Sequence, residues 1–312
     1  MKRALFFVNP NAGQGANGLN LLEILKEFAR KDWRVEICLT KGPGDLTKVL
    51  QEEGEHFDLV VSSGGDGTLN ETTAGVMAIP QDRRPVVGYI PRGTVNDVSH
   101  NLGLSRVPVE AAKDIVDGVP FTMDVGSLNG RWFNYVAGFG LFTDVAYRTP
   151  QEEKKVLGRL AYLLDGVKSL SEIQTIPVTM ELDGEKVQEE VLLGLVTSTM
   201  SIGGFRVPGD IGVQLNDGLF EVLLVKKTPT LQGIKDIGLA LQKGDFSGDS
   251  FIVRRAKTVD FSFQKSVDWT LDGEFGGSMK TAHIENHHSG LTIMIPAKPK
   301  TPAAEKLTKA KP

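Results

Sequence analysis

Cysteine is almost absent from the chain: Cys38 stands alone among 312 residues. A single thiol excludes an intramolecular disulfide framework and any multi-cysteine metal site, and a reducing, cytosolic setting follows most simply. Long apolar runs are missing too. Residues 4–8 are among the longest, and residues 59–61 are shorter still, far short of the roughly 20 needed to cross a bilayer. The opening MKRALFFVNPNAG pairs basic residues with an apolar stretch, but Asn9-Pro10-Asn11 arrives too early for a signal-peptide core. A buried first strand is the expectation there. Nor is there an excess of positive charge: 35 Lys and Arg face 39 Asp and Glu, for a net −4, which argues against a nucleic-acid protein. Residues 298–312 nevertheless carry five lysines and one glutamate. This tail reads as a solvated, frayed terminus, or more sharply as a weak attraction to an anionic membrane surface.

Glycine, by contrast, is plentiful at 35 residues, and it marks tight turns or places where backbone approaches a ligand closely. The length suggests two domains, and the pattern changes midway. Up to about residue 120, short apolar runs (3–8, 34–39, 59–62, 86–90) alternate with helical spacing (19–30, 45–53, 69–77, 109–116). Such alternation with short connections predicts a doubly wound parallel sheet, which binds ligands at the carboxyl ends of its strands. Beyond about residue 122, hairpin signals recur at Asn129-Gly130, Asp183-Gly184, Asp217-Gly218 and Asp272-Gly273. One helix over 155–173 interrupts them. The second half is expected to be an antiparallel β-sandwich or open barrel. The expected domains are therefore an α/β unit over 1–123 and a β-rich unit over 124–289, with residues 290–312 returning to the first.

Three glycine turns of the first half follow strands and open helices, where backbone N–H groups bind phosphate. In the first, Gly13-x-Gly15-x-x-Gly18 matches the dinucleotide fingerprint, with Glu36 near the acidic position. Gly13 and Gly18 also have Walker spacing, but Leu19-Asn20 replace the required Lys-Ser/Thr, which excludes a P-loop. A flexible turn and a phosphate contact both stay open. The second turn runs Ser62-Ser63-Gly64-Gly65-Asp66-Gly67-Thr68-Leu69-Asn70-Glu71. Thr68-x-x-Glu71 reads as a capping box, yet a cap alone does not need Gly-Gly-Asp-Gly. Asp66 held beside phosphates requires a metal or a proton to be tolerated. The third is Arg92-Gly93-Thr94-Val95-Asn96-Asp97, with Thr94-x-x-Asp97 a second plausible cap and Arg92 a phosphate partner.

Together, Gly64-Gly65-Asp66-Gly67-Thr68 and Gly93-Thr94-Val95-Asn96-Asp97, after Asn9-Pro10-x-Ala12-Gly13, resemble the diacylglycerol kinase catalytic-domain family. This family of soluble bacterial lipid kinases also takes in sphingosine and ceramide kinases. The resemblance continues through residues 157–163, Ile202-Gly203-Gly204-Phe205, Asn216-Asp217-Gly218 and Asp272-Gly273-Glu274. It implies a nucleotide domain, a β-sandwich lipid domain, and ATP bound in the cleft between them. By position, Asn9, Thr40, Gly64, the turn Gly65, Asp66, Gly67, Thr68, Leu69, Asn70 and Glu71, and then Gly93, Thr94 and Asn96 would meet ATP. Asp66 and Asp97 would organise a catalytic Mg²⁺. Asp217, with the carbonyls of Gln214 and Leu219, would hold a structural Mg²⁺, and Glu274 would be the general base, assisted by Asp272. The chain departs from the usual family pattern at Val98-Ser99-His100 and Thr199-Met200-Ser201.

Phosphoryl transfer agrees with this set, since it needs positioning, charge neutralisation and a base for the attacking hydroxyl. No Ser-His-Asp constellation or HExxH motif competes for the role. Residue type alone still favours plain hairpin turns at Asp217-Gly218 and Asp272-Gly273, although a turn does not require Glu274. His287-His288 read as a solvated turn, and Trp132, Phe133 and Tyr135 as a packed β-face. The expectation is an ATP- and Mg²⁺-dependent kinase of a lipid such as diacylglycerol or phosphatidylglycerol. It would be cytoplasmic, visiting the membrane surface peripherally, with no nucleic-acid partner and a homodimer allowed. Alternatives are a nucleotide- or lipid-binding regulator without turnover, a kinase of a soluble acceptor such as NAD, and a dinucleotide oxidoreductase.

Overall fold

A computed structural model describes residues 2–9, 20–93, 96–141, 143, 164, 174–198, 201, 202, 205, 206 and 214–298. The chain divides into two compact units, Met1–Asp124 with Ser289–Pro312, and Val125–His288.

In the first unit, β1 (Lys2–Val8), β2 (Trp33–Leu39), β3 (Leu59–Gly64) and β4 (Val86–Pro91) run parallel in the order β4-β3-β1-β2. Their apolar runs are near-continuous because both faces are covered. On one face Phe6, Val8, Val61 and Ile90 join Ile24 and Phe28 of α1 (Leu21–Arg30) and Ala111, Ala112 and Ile115 of α5 (Pro108–Val116). Alternate residues Leu5, Phe7 and Val60 are also buried and point the opposite way. Each such side chain stabilises the fold by about 1.5–3 kcal/mol. The helices α2 (Asp45–Glu53) and α3 (Asp66–Met77) approach so closely that a Cβ on Gly75 would lie 2.6 Å from the Leu50 Cβ. The short α4 (Asp97–Leu102) closes on Gly103, whose φ of 69° suits glycine.

The chain passes between the units twice, within β5 (Val119–Leu128) and within β15 (Glu274–Ile295). The end of β15 adds a strand to the parallel sheet through Ile293 opposite Val87. Arg84 Nη1 donates to the Gly290 carbonyl (2.8 Å), and the Ser289 N–H donates to Asp124 Oδ1 (2.8 Å).

The second unit is an antiparallel β-sandwich, built with β6 (Arg131–Phe133), β7 (Val136–Gly140), β8 (Ile176–Leu182), β9 (Glu185–Thr197), β12 (Phe220–Lys226), β13 (Phe251–Ala256) and β14 (Thr258–Leu271), plus a two-strand pair of β10 (Ser201–Ile202) and β11 (Phe205–Arg206). The long strands are shared: β9 and β14 pair with β8 along one half and with β7 along the other. An aromatic knot fills the core, with Phe139 centred 4.8 Å from Trp269, 5.1 Å from Phe263 and 5.5 Å from Phe261. Three predicted hairpin turns are present with both central residues left-handed: Asn129-Gly130, Asp183-Gly184 and Asp272-Gly273.

Several expectations need correction. Helix α3 starts at Asp66, not near residue 69, so Thr68 is its third residue and the Thr68–Glu71 capping box does not form. The extended Gly65 leads straight into a helix whose first residue is acidic, which the helix dipole favours. Likewise α4 is entered through Asn96 in the left-handed conformation, with Asp97 its first residue. Asp217-Gly218 is not a two-residue hairpin of the primed kind. Only Gly218 has positive φ, and Asp217 Oδ1 instead accepts from the Leu219 N–H (3.0 Å) in a local side-chain turn. His287 and His288 lie inside β15, not in a turn, because that strand continues into the first unit. The sequence reading omits α6 (Leu231–Lys243), which Thr230 caps by accepting from the Gly233 N–H (3.0 Å). The turn 10–19, Thr94, the helix over 155–173 apart from Leu164, Gly203-Gly204 and the lysine tail beyond Lys298 lie outside the described residues.

Candidate active site

In the first unit, the expected nucleotide-contact residues gather along the carboxyl edge of the parallel sheet. Val8 pairs with Leu39 and Ser63, and Gly64 with Pro91, so the residues that follow these strand ends stand side by side. Asn9 follows β1 and Thr40 follows β2, where the Thr40 N–H donates to the Val8 carbonyl (3.1 Å). The Gly64-Gly65 turn and the Arg92-Gly93 turn follow β3 and β4.

Those two turns interlock backbone to backbone. A Cβ on Gly93 would lie 2.6 Å from the Gly65 Cα, so a side chain there would force the turns apart. The Arg92 N–H donates to the Gly64 carbonyl (2.8 Å), and the Asn96 side chain closes on Gly93 from both ends. Asn96 Oδ1 accepts from the Gly93 N–H (3.0 Å), while Asn96 Nδ2 donates to the Gly93 carbonyl (2.6 Å). Asn96 also reaches the acidic residue of the first turn: its backbone N–H donates to Asp66 Oδ2 (2.9 Å). Asp66 and Asp97 are thus the first residues of two helices, tied through the residue that precedes Asp97.

Underneath sits Tyr89, fully buried, its hydroxyl 3.1 Å from both the Gly64 carbonyl and Asn96 Oδ1. Burial first, and then the charge of Asp66, pushes its phenol well above the ordinary range, so it remains a neutral donor. Burial also lowers the Arg92 guanidinium. The hydroxyls of Ser62 and Ser63 are buried and have no hydrogen-bond partner among the described residues. Leu69 is different from its neighbours: its side chain is 1 % exposed and belongs to the core, leaving only backbone for a ligand.

In the second unit the Asp272-Gly273-Glu274 turn is anchored by Asp272. Its Oδ2 accepts from the Asn134 N–H (2.7 Å) and Asn134 Nδ2 (3.2 Å), and its Oδ1 accepts from the N–H groups of Tyr135 (3.0 Å) and Val136 (3.2 Å). The Tyr135 hydroxyl donates to the Asp272 carbonyl (3.2 Å). A buried carboxylate with four such bonds is a fixed post, so Asp272 acts by placing the hairpin. Glu274 opens β15 opposite Leu271 and is exposed.

Asp217 has a partner of its own. Its Oδ2 is ion-paired with Arg255 Nη2, and Arg255 Nε donates to Glu221 Oε1 (3.2 Å). Glu221 is 3 % exposed, and its Oε2 has no partner among the described residues. Burial pushes its carboxyl up to about 7; Arg255 opposes the rise and Asp217 adds to it. Gln214 is exposed and Leu219 half-buried. The charge demand of Asp217 is therefore met from within the chain, and a divalent cation there would sit beside a guanidinium. The structural Mg²⁺ that the family resemblance implies at Asp217 and the carbonyls of Gln214 and Leu219 would have to share Asp217 with Arg255.

The sequence reading missed Tyr89, Asn134 and Arg255. Asn134 and Arg255 meet partners far along the chain, whereas Tyr89 reads locally as a strand residue like any other.

These features define a class: a two-domain protein with a parallel-sheet unit whose glycine turns interlock at its strand ends, and an antiparallel sandwich unit bearing an anchored acidic hairpin. The chain belongs to the diacylglycerol kinase family. Residues 3–128 match the diacylglycerol kinase catalytic domain, and residues 138–294 match the YegS C-terminal NAD kinase beta sandwich-like domain. It is 34% identical over 299 residues to a diacylglycerol kinase of Bacillus subtilis (strain 168), covering 95% of this chain and 97% of that one. With a diacylglycerol kinase of Staphylococcus carnosus (strain TM300) it shares 32% over 284 residues, 89% of this chain and 90% of the other. A diacylglycerol kinase crystal structure from Bacillus anthracis str. Sterne superposes with a TM-score of 0.73 at 29% identity, covering 97% of this chain and 98% of that chain. A kinase family implies ATP as co-substrate.

Proposed function

We propose that this protein transfers the γ-phosphoryl group of ATP to a hydroxyl of diacylglycerol or a related lipid such as phosphatidylglycerol, with Mg²⁺ and with Glu274 as general base. The observation that carries the reading is the interlocked pair of glycine turns, with Asp66 and Asp97 at the first positions of two helices. Gly65 at the N-cap leaves the start of α3 with no side-chain cap to compete, so a phosphate can lie against the first N–H groups of that helix. The family resemblance assigns the remaining nucleotide contacts to Asn9, Thr40, Thr68, Asn70, Glu71 and Thr94; the Asn96 side chain, assigned with them, is instead 1 % exposed and spent on Gly93, so it shapes the turn without meeting the nucleotide.

Asp66 and Asp97 offer oxygen donors only, the set a hard divalent cation prefers. When bound, Mg²⁺ neutralises charge on the transferred phosphoryl group and its leaving oxygen. The residues of this chain do the rest. The Asn96 N–H holds Asp66 Oδ2 in one orientation, and Tyr89 keeps the Gly64 turn from collapsing. Glu274 accepts the hydroxyl proton as the acceptor oxygen attacks the γ-phosphorus. The bond from that phosphorus to the β–γ bridging oxygen breaks, and ADP leaves. Asp272 takes no proton; its oxygens already accept four hydrogen bonds.

No helix among the described residues is long and apolar enough to cross a membrane. A lipid acceptor would then be reached from the membrane surface, as a peripheral visitor. The test is transfer from γ-labelled ATP with Mg²⁺ to mixed lipids in detergent micelles, with NAD in a parallel tube and products separated by thin-layer chromatography. A labelled lipid, lost in Asp66→Ala and Glu274→Ala, is the expected result. Labelled NADP without labelled lipid would assign a soluble acceptor. No product in either tube, with ATP still bound, would mean a regulator without turnover.

A further inference from the structure

The strand that begins at Glu274 is irregular within its first four residues. Leu271 pairs with Glu274 and Thr270 with Phe275, but Trp269 then pairs with Gly277, so Gly276 is an extra residue bulged out of the ladder. Gly277 is left-handed at φ 113°, and a Cβ on Gly276 would press on Leu271 at 3.0 Å and on the Trp269 carbonyl at 3.1 Å. A bulge bends its strand, re-aims the side chains beside it and disrupts the ladder bonds. The carbonyls here are taken up by one side chain. Arg131 Nη1 donates to the Gly276 carbonyl (2.6 Å), and Arg131 Nη2 donates to the Phe275 carbonyl (3.2 Å).

Arg131 opens β6, and the same short segment supplies the Asn134, Tyr135 and Val136 groups that grip Asp272. Residues 131–136 therefore hold the acidic hairpin on both flanks of Glu274, taking hold of a carboxylate on one side and two carbonyls on the other. The segment is itself fastened to β15: Asn129 Oδ1 accepts from the His283 N–H (2.8 Å), and Asn129 Nδ2 donates to the Thr281 carbonyl (3.1 Å). Asp272 alone would pin only the turn. Without Arg131, the two residues after Glu274 could straighten the bulge and swing the carboxylate.

We infer that Arg131 is a positioning residue for the phosphoryl transfer, fixing the bulge that sets where the Glu274 carboxylate stands. The inference rests on the reading of Glu274 as the general base. Two donors in a fixed fork are needed to span adjacent carbonyls, which a guanidinium provides and an ammonium provides only in part. A misplaced catalytic group costs on the order of 100-fold in rate even when all chemical groups are present.

The test measures kcat, KM for ATP and melting temperature for Arg131→Ala, Arg131→Lys, Glu274→Ala and the double variant Arg131→Ala/Glu274→Ala. Arg131→Ala should lower kcat about 10- to 100-fold with KM for ATP unchanged, and Arg131→Lys should recover part of the loss. In the double variant kcat should equal that of Glu274→Ala, because a residue acting through Glu274 has nothing left to position. Wild-type kcat in Arg131→Ala beside an inactive Glu274→Ala overturns the inference and leaves the base in place. A further fall in the double variant, in proportion to the single ones, also overturns it. An active Glu274→Ala instead overturns the reading of the base. Should Arg131→Ala not fold, Arg131→Lys decides: full kcat at wild-type melting temperature contradicts a two-carbonyl clamp, and a lowered kcat at that temperature supports it.

Discussion

At the scale of single residues, the acidic hairpin of the candidate site rests on Asp272. Replacing Asp272 by Ala leaves the N–H groups of Asn134, Tyr135 and Val136 buried without their acceptor. Urea unfolding should show a loss of about 3 kcal/mol or more, and a loss near zero would mean that water replaces the carboxylate without cost. Glu221 makes a pH prediction. Its carboxyl is raised from 4.5 to about 7, so the native state holds a proton that the unfolded chain has already released. Between roughly pH 4.5 and 7 the unfolded chain binds fewer protons, and stability must fall as pH rises through that window. Glu221→Gln cannot ionise. Its stability relative to wild type should therefore grow between pH 4.5 and pH 8, by up to about 3 kcal/mol at about 1.4 kcal/mol per pH unit. A constant difference would place the ionisation elsewhere. Asp66 and Glu274 stand out as candidates because they sit in short local motifs. Tyr89, Asn134 and Arg131 do not, since what each one holds, Gly64, Asp272 and the 275–276 bulge, lies 25, 138 and about 145 positions away.

At the scale of elements, the helix starts decide what the glycine turns can do. Gly65 at the N-cap leaves the first N–H groups of α3 without a side-chain cap, and the proposed reading puts a phosphate there. Gly93→Ala should force the two turns apart and weaken nucleotide binding by about tenfold or more, read by titration with a fluorescent ATP analogue. That estimate takes 1.4 kcal/mol as the smallest cost of the clash; unchanged affinity would mean that the turns do not share the ligand. The strands were easier to read than the helix boundaries. A run such as residues 59–62 is apolar for the one reason that both sheet faces are covered. Whether α3 begins at Asp66 or Leu69 depends instead on backbone angles at Gly65 that no side chain announces. The omitted helix α6 did carry a signal, since Thr230, the buried Ile234, Ile237 and Leu241, and the left-handed Gly244 mark its start, face and stop. Thr230→Ala should lower the melting point by the equivalent of about 1 kcal/mol.

At the scale of the whole molecule, the two halves were distinguishable by period alone: strand and helix in alternation, then hairpin turns closing antiparallel pairs. The return of residues 290–312 to the first unit was expected, but not that a single strand makes the passage. β15 serves the sandwich over most of its length and the parallel sheet at its end, because Ile293 finds Val87 at the sheet's open edge. Nothing in the local pattern of residues 289–295 separates a sandwich strand from a parallel one. Family membership makes kinase chemistry the frame, and no local motif names the acceptor. The account stands or falls on one division of labour, with the first unit binding ATP and Glu274 of the second taking the acceptor proton. It is tested most directly by kcat for diacylglycerol phosphorylation by Glu274→Ala at saturating ATP, with ATP affinity measured on the same preparation. The predicted result is a fall in kcat of about 10²- to 10⁴-fold, the usual worth of a positioned base, at unchanged ATP affinity. Turnover within a few-fold of wild type would contradict the account.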